Sequence, residues 1–167
     1  MSGTLFALLC TATLMNAGAQ DSGTGGVGRR SMFQIRLVAD RASANTQEMP
    51  MKSPDGPTVT LEIEKKPLMD LASVASAKVV KDDGSGQAQL HIVLTGEGRE
   101  RLAEVTRRNI HRRIAVIIDG TVYAAPVIQA EISSEFIPVH TFFTDKQAEE
   151  LARKVNDAVH EGSPGRQ

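Results

Sequence analysis

Alternation of apolar and polar side chains is the clearest pattern in the N-terminal half of the chain. Val59, Leu61 and Ile63 alternate with polar residues, and a period of two predicts a strand with one buried face. The same pattern predicts a strand from Phe33 to Leu37. Two further strands are predicted at Ala77 to Lys81 and Ala88 to Leu94, around a polar turn, and the Pro- and Gly-rich segment Asp40 to Pro57 is predicted as a long loop.

Apolar residues in two C-terminal segments recur at helical spacing instead. Thr95 can cap a helix that extends to about Ile110, and Thr144 with Gln147 has the Thr-x-x-Gln spacing of a capping box for a second helix. The predicted buried residues are Leu102, Ala103, Val105, Thr106 and Ile110 in the first helix, and Ala148, Leu151, Ala152, Val155, Ala158 and Val159 in the second. Each helix has one apolar face, so we expect both to pack on a sheet.

A β-hairpin is predicted between the two helices. Two apolar runs flank Asp119-Gly120, a pair that suits the positive φ angles of a type I′ turn, and Pro126 is expected to end the regular pairing. A last strand, Phe136 to Phe143, leads into the second helix. The order of elements predicts an α+β fold, mainly an antiparallel sheet covered on one face by two helices and of ferredoxin-like type, with the other face free.

The first 19 residues have the pattern of a signal peptide. They contain an apolar run without charged side chains and the small-residue site Ala17-Gly18-Ala19. We therefore predict an exported protein, periplasmic or extracellular, with a Gly-rich tether at 20–31, a single domain at 32–160 and a flexible tail at 161–167. The alternative is a buried N-terminal helix. The only cysteine, Cys10, lies in the predicted signal peptide, which leaves no disulfide in the mature chain, and no later run is long enough to span a membrane.

The charge balance does not favour nucleic acid as a partner. The chain has 19 basic and 20 acidic residues. Arginines between Arg99 and Arg113 alternate with glutamates, which favours a solvated helix face over a phosphate-binding patch.

Catalytic and metal-binding signatures are not apparent in the sequence. It has no nucleophile elbow, paired metal-binding histidine motif, cysteine pair or phosphate loop. His91 and His140 fall in predicted strands, where exposed or hydrogen-bonded imidazoles are a better interpretation than zinc ligands. The turn at Asp82 to Gly86 has too few oxygen ligands for calcium. We therefore predict a protein that is not an enzyme and binds no cofactor or metal, and we keep a small hydrolase as an alternative.

From about Leu90 to Asn156, the chain resembles the head part of the first periplasmic domain of SecD and SecDF, accessory components of bacterial protein export. The resemblance is carried by the order and spacing of Leu94-Thr-Gly-Glu-Gly98, Leu102 to Asn109, Ile114 to Gly120, Val122 to Pro126, Ile128, Ile132, Phe143-Thr144, Ala148, Leu151 and Ala152. Where the family usually has glycines after the hairpin, this chain has Ser133, Ser134 and Glu135. That difference predicts a changed strand edge.

The resemblance implies a freestanding, exported head-like domain whose role is contact with polypeptide. Proton-driven work is not implied, because in SecD it depends on transmembrane helices. We expect binding of unfolded or extended polypeptide, or of an envelope or translocase protein, through the free sheet face or a strand edge. The alternative is a scaffold subunit that binds one folded partner. Candidate contact residues are Tyr123, Ile128 and Phe136, for which burial in the core is the competing interpretation.

Overall fold

The computed structural model describes residues 28, 31–51 and 57–162, with the side chains of residues 140–143 left out. The predicted signal peptide, nearly all of the predicted tether and residues 163–167 lie outside the described residues. In chain order, the described elements are β1 (Phe33–Leu37), β2 (Thr46–Met51), β3 (Val59–Glu64), β4 (Met69–Asp70), a 3-10 turn (Leu71–Ser73), β5 (Val74–Lys81), β6 (Ala88–Leu94), α1 (Gly96–Arg108), β7 (Ile114–Ile118), β8 (Thr121–Ala124), β9 (Phe136–Phe143) and α2 (Asp145–Gly162).

The strands form two sheets where the sequence predicted one. The larger has the order β3-β2-β8-β7-β1-β4 and the smaller has the order β5-β6-β9. Pairing is antiparallel except between β2 and β8, which meet in parallel at Met51 and Val122. The predicted α+β class is confirmed. The prediction of a single sheet was wrong, because periodicity identifies the buried face of a strand but not the strand that pairs with it.

Strand β2 corrects the long loop that was predicted from Asp40 to Pro57. All six residues of β2 pair with β3, from Thr46 opposite Glu64 to Met51 opposite Val59. Pro50 lies within this strand, and proline is tolerated there because β2 pairs with its other neighbour, β8, only at Met51.

Two hydrophobic cores share the central strands of the larger sheet. Strand β7 is buried on both faces. Its residues Ile114, Val116 and Ile118 belong to the main core with the helices and the smaller sheet, whereas Ala115 and Ile117 belong to a second core. The other members of the second core are Val38, Met49, Leu61, Ile63 and Val122. A bridge between Val38 and Ile63 curls the larger sheet around this second core.

Both helices begin at the predicted caps. The Thr95 Oγ1 accepts the Gly98 N–H at 2.9 Å, and Thr144 and Gln147 exchange side-chain-to-backbone hydrogen bonds at 3.3 and 3.0 Å. Helix α1 ends at Arg108, before Ile110, which is exposed and was wrongly predicted to be buried. The chain turns away there, since His111 has a φ of 68°.

The two helices have different positions. Helix α2 covers the smaller sheet, where its buried residues pack with Leu90, Ile92 and Val139. Helix α1 packs against the 3-10 turn, β4 and β6. The smaller sheet therefore keeps an open face on the side away from α2. Helix α2 also continues to Gly162, two residues into the predicted tail.

Candidate functional site: an apolar cleft between the sheets

The predicted hairpin positions one wall of the cleft. Asp119 and Gly120 have φ angles of 49° and 72°, as a type I′ turn requires. Strand β8 contains a bulge at Tyr123, because Val122 pairs with Ile117 and Ala124 with Val116. Regular pairing ends before Pro126, as predicted, although the Pro126 carbonyl still accepts the Ile114 N–H at 3.0 Å.

The irregular segment between β8 and β9 is held against α1 by hydrogen bonds. Ile128 exchanges backbone hydrogen bonds with His111 and Arg112 at 2.8 and 2.9 Å. The Ile132 N–H donates to the hydroxyl of Thr106 at 2.9 Å, and that buried hydroxyl also donates to the Leu102 carbonyl at 2.8 Å. The position of Ile132 is therefore fixed by helix α1.

An apolar cleft of about 470 Å³ opens between this segment, the hairpin and the start of β9. It is lined by Ile35, Leu102, Ile114, Val116, Ala124, Ala125, Pro126, Ile132, Ser134, Phe136, Ile137 and Pro138. Ser134 is the only polar residue among the described side chains of this lining. Ile132 and Phe136 are 40% and 39% exposed, so that two large apolar side chains of the cleft are in contact with water.

The cleft continues onto the open face of the smaller sheet. The Phe136 ring stacks on the His91 ring, with centroids 4.4 Å apart and 7° between the planes. On β5, Lys78 and Val80 are exposed opposite His91 and Gln89. Phe136 therefore belongs to both surfaces.

The structure places the three predicted contact residues in different environments. Phe136 lines the cleft. Ile128 is only 2% exposed and belongs to the main core, so the competing interpretation is correct for this residue. Tyr123 is half-buried against the same core. Burial, and secondarily the charge of Asp119, raises the pKa of its phenol, with Lys154 acting in the opposite direction.

Sequence reasoning did not select Ile132, Ile137 or Pro138 as candidate contact residues. Ile132 had a usable signal, because it is a single large apolar residue among Glu131, Ser133 and Ser134. An isolated apolar residue in a polar connection is either pinned to the core or left at the surface. Only the hydrogen bond to Thr106 shows that this one is fixed at the edge of a cleft.

Two polar clusters of the described residues have their hydrogen bonds and ion pairs satisfied internally. Glu104 forms ion pairs with Arg101 and Arg108, at 2.9 and 2.8 Å, across one turn of α1. In the turn after β5, Asp82 Oδ1 accepts hydrogen bonds from the Gly84 and Ser85 amides and the Ser85 hydroxyl. Hydrogen bonds to Ser85 are the largest cause of the lowered pKa of Asp82.

The part of the chain that the structure describes contains neither a cluster of metal ligands nor a helix suited to cross a membrane. No group of three or more histidine, cysteine, aspartate or glutamate side chains is arranged there to hold a metal ion. No helix there combines the length and the apolar character that a membrane crossing requires.

Several proteins with similar sequences are named as protein translocase subunits. The SecDF P1 head subdomain model matches residues 46–158. Protein translocase subunit SecDF of Thermus thermophilus is 31% identical over 137 residues, covering 75% of this chain and 18% of that protein. Protein translocase subunit SecD of Desulfurispirillum indicum is 30% identical over 143 residues, covering 75% of this chain and 28% of that protein. The chain thus spans less than a third of either relative.

Similar solved structures give the same result. One, described as a membrane component SecDF that enhances protein export, superposes with a TM-score of 0.57 at 27% identity and covers 77% of this chain and 63% of that one. SecDF in its super-membrane-facing form gives a TM-score of 0.57 at 26% identity and covers 82% of this chain and 20% of that one. Sequence and fold agree, and the chain belongs to the SecDF P1 head subdomain family.

Proposed function

We propose that this domain is a non-enzymatic exported module that binds extended or unfolded polypeptide during protein export. The observation that carries the proposal is the apolar cleft with Ile132 and Phe136 at its surface. Its relatives are named as protein translocase subunits, which supports a role linked to export. A folded partner of the same kind would be an envelope or translocase protein that presents an extended segment.

The size of the cleft suits weak and reversible binding. Its volume of about 470 Å³ falls in the range of about 300–1,000 Å³ that is common for ligand pockets. Burial of one large apolar side chain contributes about 1.5–3 kcal/mol. One or two such side chains therefore hold a chain loosely, and a domain that must release its polypeptide requires such loose binding.

The experiment is a titration of a labelled, permanently unfolded polypeptide with this protein, followed by fluorescence anisotropy. We expect saturable binding and an increase in Kd of about tenfold for Ile132→Ser, because one apolar contact is lost. Ile110→Ser is the matched control, since Ile110 is 39% exposed, almost as much as Ile132, but does not line the cleft. Its Kd should equal that of the unmodified protein.

Two results would contradict the proposal. Equal weakening by both substitutions would show that any exposed isoleucine contributes and that the cleft is not the site. A complete lack of binding at high micromolar concentration would exclude unfolded polypeptide as the ligand. That result would favour the scaffold alternative, in which one folded envelope protein is the partner.

A further inference from the structure

The edges of the smaller sheet determine how a polypeptide can bind. An edge strand exposes main-chain N–H and C=O groups, and extended peptides commonly bind by pairing with them. In the order β5-β6-β9, the two edges are β5 and β9. At each edge, hydrogen bonds within the chain already engage the main-chain groups of one outward-facing residue.

Asn156 of α2 occupies the β5 edge. The Ala77 N–H donates to Asn156 Oδ1 at 2.7 Å, and Asn156 Nδ2 donates to the Ala77 carbonyl at 3.0 Å. Ala77 lies opposite Ile92 in the β5–β6 register. A side-chain amide has the same donor and acceptor as a peptide group, so Asn156 takes the place of one residue of an added strand.

Ser134 and Pro138 occupy the β9 edge. The Leu94 N–H donates to the Glu135 carbonyl at 2.9 Å, which makes Phe136 and Val93 a non-hydrogen-bonded pair whose main-chain groups point outward. The Ser134 hydroxyl donates to the Phe136 carbonyl at 2.7 Å, and its oxygen accepts the Phe136 N–H at 3.3 Å. Pro138, the next outward residue, has no N–H to offer.

The larger sheet offers little free edge among the described residues. Strand β4 has only two residues. Strand β3 is bridged through Ile63 to Val38, and its Glu62 carbonyl accepts the Ala39 N–H at 2.8 Å. An incoming strand would have to break contacts that the chain makes with itself.

We infer that Asn156 and Ser134 block the two edges of the smaller sheet at Ala77 and Phe136, so that a polypeptide bound to this domain is recognised by its apolar side chains and not by strand addition. That the ligand is a polypeptide rests on the proposed function. The edge closure itself rests only on the hydrogen bonds of Ala77 and Phe136. Ser134 and Asn156 are thereby assigned a role in specificity, because they select how a polypeptide is recognised.

The first experiment compares three short peptides by competition against the labelled unfolded polypeptide. The parent peptide alternates leucine and serine. The ester peptide replaces three alternate amides of the parent by esters, which removes the N–H donors and keeps the side chains. The serine peptide replaces each leucine of the parent by serine. We expect the inhibitory concentration of the ester peptide to lie within about twofold of that of the parent peptide. The serine peptide should not compete. A loss of tenfold or more on ester substitution would overturn the inference, since each lost main-chain hydrogen bond weakens binding several-fold.

The second experiment needs no ligand and measures amide hydrogen exchange of the free protein. We expect the Ala77 amide to exchange slowly, and at least about tenfold faster in Asn156→Ala. Asn156→Asp keeps the acceptor oxygen and should retain the protection. The Ile92 amide of the same register pair reports any general loss of stability. In Ser134→Ala, the Phe136 amide should be the one that exchanges faster.

The two experiments separate the inference from the proposed function. If no peptide competes while Ala77 is protected by Asn156, the polypeptide ligand is wrong and the closed edges stand. If the parent peptide binds and the ester peptide does not, the domain binds polypeptide by strand addition and the inference is wrong. Fast exchange of Ala77 in the unmodified protein would overturn the edge closure directly.

Discussion

At the scale of single residues, Gly98 shows how closely α1 approaches the 3-10 turn. A Cβ atom at this position would collide with the carbonyl oxygen of Ser73 and lie 3.1 Å from Thr95 Oγ1. The same carbonyl accepts the Thr95 N–H at 3.0 Å. The first turn of α1 is therefore held against the backbone of the turn, and only glycine leaves enough space.

Gly98→Ala should lower the free energy of unfolding by about 1–3 kcal/mol, because the added methyl group must displace backbone and not a flexible side chain. Gly96→Ala is the control in the same helical turn, where a Cβ meets nothing within 4 Å. That change should leave stability unchanged or raise it by up to about 1 kcal/mol. Urea unfolding followed by circular dichroism measures both, and equal losses would contradict the role of the close contact.

Aromatic residues show what the sequence could not decide at this scale. Tyr123 and Phe136 both occur in strands that were predicted correctly, and both were candidates for a contact surface. The structure packs Tyr123 against the core and leaves Phe136 39% exposed beside the cleft. The difference depends on the bulge at Tyr123 and on the pairing of β9 with β6. Neither is encoded locally.

At the scale of elements, the features that the sequence predicted well depend on neighbouring residues. The hairpin turn needs positive φ angles at two adjacent positions, and each helix cap needs a hydroxyl and an amide three residues apart. These interactions form within a few residues and leave a signature in the sequence. The strictest of these requirements is the positive φ angle at Gly120, which is 72°.

Gly120→Ala should destabilise the protein by about 1–2 kcal/mol, because an L-residue with a side chain is disfavoured in the left-handed region. Gly84→Ala provides a control in another turn, since a Cβ there makes only an ordinary contact with Asp82 Oδ1 at 3.5 Å. Thermal unfolding of the two variants gives the comparison. A smaller loss for Gly120→Ala than for Gly84→Ala would mean that the hairpin turn relaxes without cost.

The features that were missed depend on strand pairing or on turns that no apolar pattern marks. Strand β2 contains Pro50 and polar residues, and is stabilised by six pairs with β3 that no local pattern indicates. The end of α1 was placed too late because Ile110 continues the apolar spacing, although the chain turns at His111. The division into two sheets is also non-local, since β9 joins β6 across the whole hairpin. The cleft between the sheets could not be predicted for the same reason.

At the scale of the whole molecule, the two cores should behave as one. Strands β1 and β7 pair along their whole lengths, and the alternate residues of β7 enter different cores. Loss of either core would expose one face of a strand on which the other core depends. A domain with such shared strands is expected to unfold in a single cooperative transition.

Ile63→Ala tests this coupling from the second core. Ile63 is fully buried there, so its truncation should lower the free energy of unfolding by about 2–5 kcal/mol. Val59→Ala is the control, because the Val59 side chain is 43% exposed. It should change the free energy of unfolding by no more than about 0.5 kcal/mol. Tyr123 is the only tyrosine of a chain without tryptophan, and it packs against the main core. Its fluorescence therefore reports on the core that the mutation does not touch.

If the cores are coupled, Ile63→Ala moves the urea midpoint of tyrosine fluorescence as far as the midpoint of circular dichroism. A fluorescence midpoint that stays in place while the circular dichroism curve splits would show that the second core unfolds alone. The distinction bears on function, because the cleft is built from β1 and β7 on one side and β9 on the other. In a cooperative domain, those walls form and are lost together, so that under the proposed function the cleft exists before a polypeptide binds.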